Sequence, residues 1–99
     1  MKDKVLVIGA GRMGRAIAWD LRRQGLAVTL ADKVGPLRVD AERPRSLLPL
    51  LRRHDAAVSA VPYFLNMGLA KAALEAGCSF LDLGGNDTVV RQELAIDRE

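Results

Sequence analysis

Residues 5–18 read "VLVIGAGRMGRAIA": four aliphatic side chains in a row, glycines at 9, 11 and 14, then apolar residues at helical spacing. A continuous apolar run bounded by glycine is the pattern of a strand buried on both faces. From Met13 to Gln24 the spacing predicts a helix, with Gly14, Ile17, Ala18 and Leu21 on one face and Arg15, Trp19, Arg22 and Arg23 away from it. Gly25 stops that helix. The glycines between the two elements fit G-x-G-x-x-G, which alone describes either a tight turn or a cradle for phosphate. The rest of the chain has to decide between the two.

The same alternation continues. Ala27 to Ala31 is a second strand ending on Asp32, and Leu37 to Val39 is a candidate short third strand ending on Asp40. Arg45 to Arg53 reads as a helix with Pro44 or Ser46 near its start, and Pro49 is early enough to be tolerated in the first turn. His54 and Asp55 close it. Ala56 to Ala60 forms a fourth strand, broken by Val61-Pro62. Asn66 to Ala76 is an alanine-rich helix capped by Gly77, and Phe80 to Leu83 is a fifth strand. Gly84-Gly85-Asn86 is a loop, after which Asp87 or Thr88 can cap a last helix running to the C-terminus. Strands and helices in this order, with short connections, form a parallel sheet wrapped by helices. Right-handed crossovers give the order 3-2-1-4-5, an α/β, doubly wound Rossmann-type sheet.

Composition narrows the classes. The 99 residues make one domain, residues 1–99, with 49% apolar residues and few aromatics. No apolar run is long enough to cross a membrane, and Met1-Lys2-Asp3-Lys4 leads straight into a strand instead of a signal-peptide core. A cytoplasmic chain with no membrane partner is expected. Fifteen basic and twelve acidic residues leave a charge of +3 and a pI near 9.5. The two signs are interleaved, and the pairs Arg22-Arg23 and Arg52-Arg53 fall at helix ends, which argues against nucleic acid. The single cysteine, Cys78, has no disulfide partner and no second ligand at metal spacing, so it reads as a small buried side chain.

In a phosphate-binding reading each glycine has its own task. Gly9 permits the turn, Gly11 admits a pyrophosphate to the backbone, and Gly14 lets the helix lie close on the strand. The N–H groups of Arg12 and Met13 then face the phosphates with the helix dipole behind them. Asp32, at the end of the next strand, has the spacing of a carboxylate that accepts hydrogen bonds from a ribose diol and repels a 2′-phosphate. NAD is therefore preferred over NADP, although Lys33 beside it offsets part of the charge. Asp40 sits near an adenine or is a solvated loop carboxylate. Ala60, Val61 and Pro62 follow the fourth strand at the switch point, where small or apolar residues let ribose and nicotinamide pass. Gly84 and Gly85 end the fifth strand on the same edge. Arg12 lies over a phosphate or the adenine, or is a surface arginine. His54 lies at a helix C-terminus, where a cation is favoured. Asp82, inside an apolar strand, needs a hydrogen-bonding partner if buried.

Beyond the fingerprint, "HDAAVSAVPYFLNMGLAKAALEAGCSFLDLGGN" resembles the saccharopine dehydrogenase family, which includes the bacterial lysine dehydrogenases. The elements that carry the likeness are Asp55 to Pro62, Ala70 to Gly77 and Asp82 to Gly85. The resemblance implies an NAD(P)-dependent oxidoreductase acting on an amino acid or its secondary amine, by hydride transfer from a C–H next to nitrogen. Family members continue into a second domain that carries the substrate pocket and much of the dimer interface. This chain is accordingly expected to be the cofactor domain, without turnover alone, and its matching positions are cofactor positions, so no catalytic residue is assigned. The alternative from another class is a nucleotide-sensing regulatory domain without enzymatic activity. The segment Ser59 to Asn66 and the Gly84-Gly85 turn fit the dehydrogenase better.

The chain departs from the family between the second and third strands, where Lys33 to Pro36 replace a helix. A parallel crossover takes a dozen or more residues. Four or five extended residues span only about 15 Å. The third strand is then short and offset, swapped between chains, or absent. A missing helix also leaves sheet surface bare, which points to a homodimer contact through Val28, Leu30 or Val39.

Overall fold

A computed structural model of the chain describes residues 3–9, 11–34 and 37–82. Four parallel strands form one sheet: β1 (Lys4–Ile8), β2 (Ala27–Ala31), β3 (Ala56–Ser59) and β4 (Ser79–Asp82), in the order β2-β1-β3-β4. Helix α1 (Arg12–Arg23) joins β1 to β2, α2 (Leu48–Leu51) lies between β2 and β3, and α3 (Asn66–Ala76) joins β3 to β4. Expected loop and helix positions from Leu83 onward, Gly84 and Gly85 among them, lie outside the described residues.

Register explains why β1 is apolar throughout. Val5 and Val7 align with Val28 and Leu30 of β2, and Val7 with Val58 of β3, so these side chains share one face. There they pack with Ala18, Ile17 and Leu21 of α1. Leu6 and Ile8 point to the opposite face, where they meet Leu47, Leu51, Leu69 and Ala73 from the α2 and α3 side. A central strand covered on both sides cannot alternate polar with apolar residues.

The third strand dwindles to one parallel bridge, Asp32 with Arg38, on the edge of β2 away from β1. Asp32 N–H donates to the Leu37 carbonyl at 3.1 Å and Val39 N–H donates to the Asp32 carbonyl at 2.8 Å. The bridge has the position that the order 3-2-1-4-5 assigns to strand 3, but the short connection does not extend it into a ladder. The helix expected over Arg45 to Arg53 is likewise broken into a 3-10 turn, Pro44–Leu47, followed by the four-residue α2. Pro49 has no N–H to give to the carbonyl of Arg45, so one continuous α-helix cannot form there.

Val28 and Leu30, expected at a dimer contact, are partly buried against α1, and Val39 packs against the opposite cluster. One open apolar patch among the described residues lies over β3 and β4 on the α1 side, where Leu81 is 61% exposed. His54, expected as a helix-terminal cation, acts as a tie. Its Nδ1 is 2.8 Å from the Leu50 carbonyl and its Nε2 is 3.0 Å from Thr29 Oγ1, linking the end of α2 to β2.

The end of β1 and the first turn of α1 approach each other closely at two glycines. Gly9 has φ +105°, in the region that favours glycine. Its carbonyl lies so close to Gly14 that a Cβ there would sit 1.7 Å from the Gly9 oxygen. Replacing Gly14 with Ala is therefore expected to cost about 3 kcal/mol or more. Thermal melting checks this, and a midpoint within about 2 °C of the wild type would contradict the packing. Cys78 is buried, and desolvation, followed by the nearby Asp55 carboxylate, pushes its thiol pKa up. A raised pKa leaves less thiolate at a given pH. Its reaction with a disulfide reagent at neutral to mildly basic pH should be at least about ten-fold slower than that of a free thiol, and should reach the free rate on unfolding.

Candidate functional site

In an open parallel sheet, the carboxyl ends of the strands are where ligands meet the protein, at the point where the chain turns left on one side and right on the other. Here that point lies between β1 and β3. Gly9 N–H donates to the Ala31 carbonyl at 2.7 Å, and Ala60 N–H donates to the Ile8 carbonyl at 2.8 Å. These two bonds place Gly9 between Asp32 and Ala60 on one rim. Ala60 and Val61 back onto the turn: a Cβ on Gly9 would lie 3.0 Å from Ala60 C and O and 3.3 Å from Val61 Cγ1.

Gly11 is different in kind. It precedes α1 as its N-cap with φ −70° and ψ −171°, a conformation any residue adopts, and a Cβ there would meet nothing within 4 Å. Neither backbone strain nor packing within the described residues requires a glycine at this position. The first intrahelical bond runs from Arg15 N–H to the Gly11 carbonyl at 3.0 Å. The amides of Arg12, Met13 and Gly14 therefore precede the helical ladder. No side chain caps them and the first turn holds no acidic residue. A twelve-residue helix ending in this way presents amide hydrogens and the positive end of its dipole. Met13 is 62% exposed beside them, and Arg12 is exposed too.

Next to the turn, a cleft of about 320 Å³ runs between the end of β2 and the segment after β3. Asp32, Lys33, Val39 and Asp40 form one wall, and Val61, Pro62, Phe64 and Leu65 form the other. Asp32 Oδ1 accepts the Lys33 N–H at 2.7 Å, which orients the carboxylate at the strand end. Asp40 lines the cleft, but its carboxylate also shapes the local turn: Oδ1 accepts Glu42 N–H at 3.0 Å and Oδ2 is 3.7 Å from Arg43 Nε. Glu42 lines the same cleft, which thus carries three carboxylates and the Lys33 ammonium. The volume and the mixed polar and apolar lining suit a nucleoside-sized group.

The structure thus gathers Gly9, Gly11, Arg12, Met13, Gly14, Asp32, Asp40, Ala60, Val61 and Pro62 along one edge of the sheet. Asp82 lies farther along that edge, at the end of β4 in register with Ser59. Glu42, Phe64 and Leu65 also line the cleft, although local pattern gave no reason to single them out. Phe64, one of the chain's few aromatics, is 67% exposed at this cleft. Among the described residues no cluster of His, Cys, Asp or Glu could hold a metal, and no helix is long and apolar enough to cross a membrane.

Comparison with known proteins places this geometry. A solved structure of saccharopine dehydrogenase (L-Glu forming) from Saccharomyces cerevisiae superposes with TM-score 0.78 at 17% identity, over 91% of this chain and 23% of that one. RSP, a Rex-family repressor solved in complex with β-NADH, superposes with TM-score 0.53 at 15% identity, over 98% of this chain and 60% of that one. At such identities the likeness is one of fold. Among curated proteins, the tRNA 5-methylaminomethyl-2-thiouridine biosynthesis bifunctional protein MnmC of Psychrobacter sp. (strain PRwf-1) is 46% identical over 46 residues, 46% of this chain and 6% of that protein. The chain thus spans about a quarter of the saccharopine dehydrogenase, 60% of RSP and 6% of MnmC. The family described as "Saccharopine dehydrogenase NADP binding domain" matches residues 5–98, nearly the whole chain, and the chain belongs to that family.

Proposed function

We propose that this chain is the dinucleotide-binding module of an amino-acid oxidoreductase, that it takes NAD in preference to NADP, and that a further domain supplies the substrate pocket. The observation that carries the reading is Gly11. Its backbone is unstrained and the space beside it is open, so the missing Cβ serves whatever approaches the amides of α1. A pyrophosphate fits that demand: it needs bare backbone, N–H donors and a positive dipole, and it needs no side-chain cation.

The pieces beside the turn suit the rest of the ligand. Asp32 would accept hydrogen bonds from the adenosine ribose, and the apolar wall from Val61 to Leu65 would face the base across the cleft. Three carboxylates around one ammonium disfavour an added 2′-phosphate, which supports NAD. Lys33 on the cleft and Arg43, ion-paired with Asp40, are cations that temper that preference. When bound, the dinucleotide supplies the hydride acceptor or donor. The chain's own residues hold the diphosphate and the ribose and leave the nicotinamide end to the rim beyond Ala60. The family resemblance supports an amine-bearing carbon as hydride donor.

Fluorescence titration of the chain with NADH and NADPH tests the reading. Saturable binding with NADH the tighter ligand is expected, and no binding, or tighter NADPH, would overturn it. Gly11→Ala should melt like the wild type yet bind NADH at least about ten-fold more weakly, a loss of about 1.4 kcal/mol. Asp32→Ala should weaken NADH by about ten-fold, removing hydrogen bonds to a charged acceptor, and narrow or reverse the discrimination against NADPH.

A further inference from the structure

The described core contains two polar side chains, Ser59 at 1% exposure and Asn66 at 0%. They bond to each other: Ser59 Oγ donates to Asn66 Oδ1 at 2.5 Å, across seven positions of sequence. Neither side chain serves the secondary structure around it. Ser59 belongs to the β3 ladder through its backbone, and α3 starts after Leu65 with no side-chain cap. Asn66 Nδ2 has no acceptor among the described residues, so the amide is only half used. Burying two polar groups with one donor left over costs stability, and Ala with Leu at these positions would avoid that cost. The pair therefore has to be explained by geometry.

What it spans gives the explanation. The bond closes the loop 60–65 between two anchored points: Ser59, in register with Ile8 of β1, and Asn66, at the start of a helix whose Leu69 and Ala73 are fully buried. Within that loop, Ala60 and Val61 back the Gly9 turn, and Val61, Pro62, Phe64 and Leu65 form one wall of the cleft. Within the loop, Leu65 N–H donates to the Pro62 carbonyl at 3.0 Å. We propose that Ser59 and Asn66 form a positioning clasp that fixes the 60–65 wall against the glycine turn and so sets the gap through which the dinucleotide runs. The second half of that statement rests on the dinucleotide reading above. Neither residue is exposed to the cleft, so both act through the wall.

Amide hydrogen exchange, read with NADH affinity, tests the clasp on the full chain. In Ser59→Ala and in Asn66→Ala, the amides of Ala60 and Leu65 should exchange at least about ten-fold faster, while those of Leu6 and Val7 in β1 keep most of their protection. Well below the melting midpoint, each variant should bind NADH about five- to ten-fold more weakly, and the double variant no more weakly than the worse single one. Exchange that accelerates equally throughout the sheet, or affinity unchanged in folded variants, would reduce the pair to ordinary core packing and overturn the proposal. Should either variant fail to fold, the other supplies both readouts. Absence of NADH binding by the wild type would sink the dinucleotide reading, whereas the exchange pattern would still decide whether the clasp holds the wall.

Discussion

The approach of Gly14 to the carbonyl of Gly9 is the contact on which the site depends. It brings the first turn of α1 down onto the end of β1 with no side chain between them. With a Cβ at Gly14 the helix would have to lift or slide, and the amides of Arg12 and Met13 would leave the rim they share with Asp32 and Ala60. The same contact makes the sheet two-sided. Helix α1 seals the Val5 and Val7 face, and the chain returns through β2 in register, Ile8 opposite Ala31. One constraint on volume thus fixes a helix, a strand pairing and the direction of a dipole.

The two sides of the rim are built with different economies. The β2 side has lost most of its third strand and much of its second crossover helix, keeping one bridge and a short, proline-interrupted helical segment. It still delivers Asp32, because the bridge forms at that residue and the bond from Gly9 to Ala31 fixes the residue before it. The β3 side is more complete. The Ser59–Asn66 hydrogen bond joins the two ends of its wall, and α3 is seated in the core by residues such as Leu69 and Ala73. Further interactions pin that helix to the segment before α2: Arg45 pairs with Glu75 through two hydrogen bonds, and Gly68 accommodates the Pro44 ring. The cleft lies between a reduced wall and a more fully bonded one.

Much of this was legible in the sequence where local physics dominates. The second strand and the alanine-rich helix have the expected bounds, and α1 differs by one residue at each end, because apolar runs, helical spacing and glycine stops act over a few residues. The fourth and fifth strands shift by about one residue, since a strand's last pairing depends on its neighbour. The stretch from Asp32 to Asp55 was not legible to that degree: whether Leu37 to Val39 pairs, and whether Pro49 splits a helix, depend on tertiary closure. The positions of Glu42 and Phe64 on the cleft, the tie made by His54, and the bond between Ser59 and Asn66 all join residues with no shared local pattern. Pairs of this kind become visible only when the chain is folded.

On this reading the start of α1 receives a diphosphate. That is tested most directly by following backbone amide resonances of the isotopically labelled chain during titration with NAD. The largest changes are expected at Gly11, Arg12 and Met13, with a second group at Asp32 and Lys33, saturating together. Saturable changes elsewhere that leave the amides of 11–13 in place would contradict it.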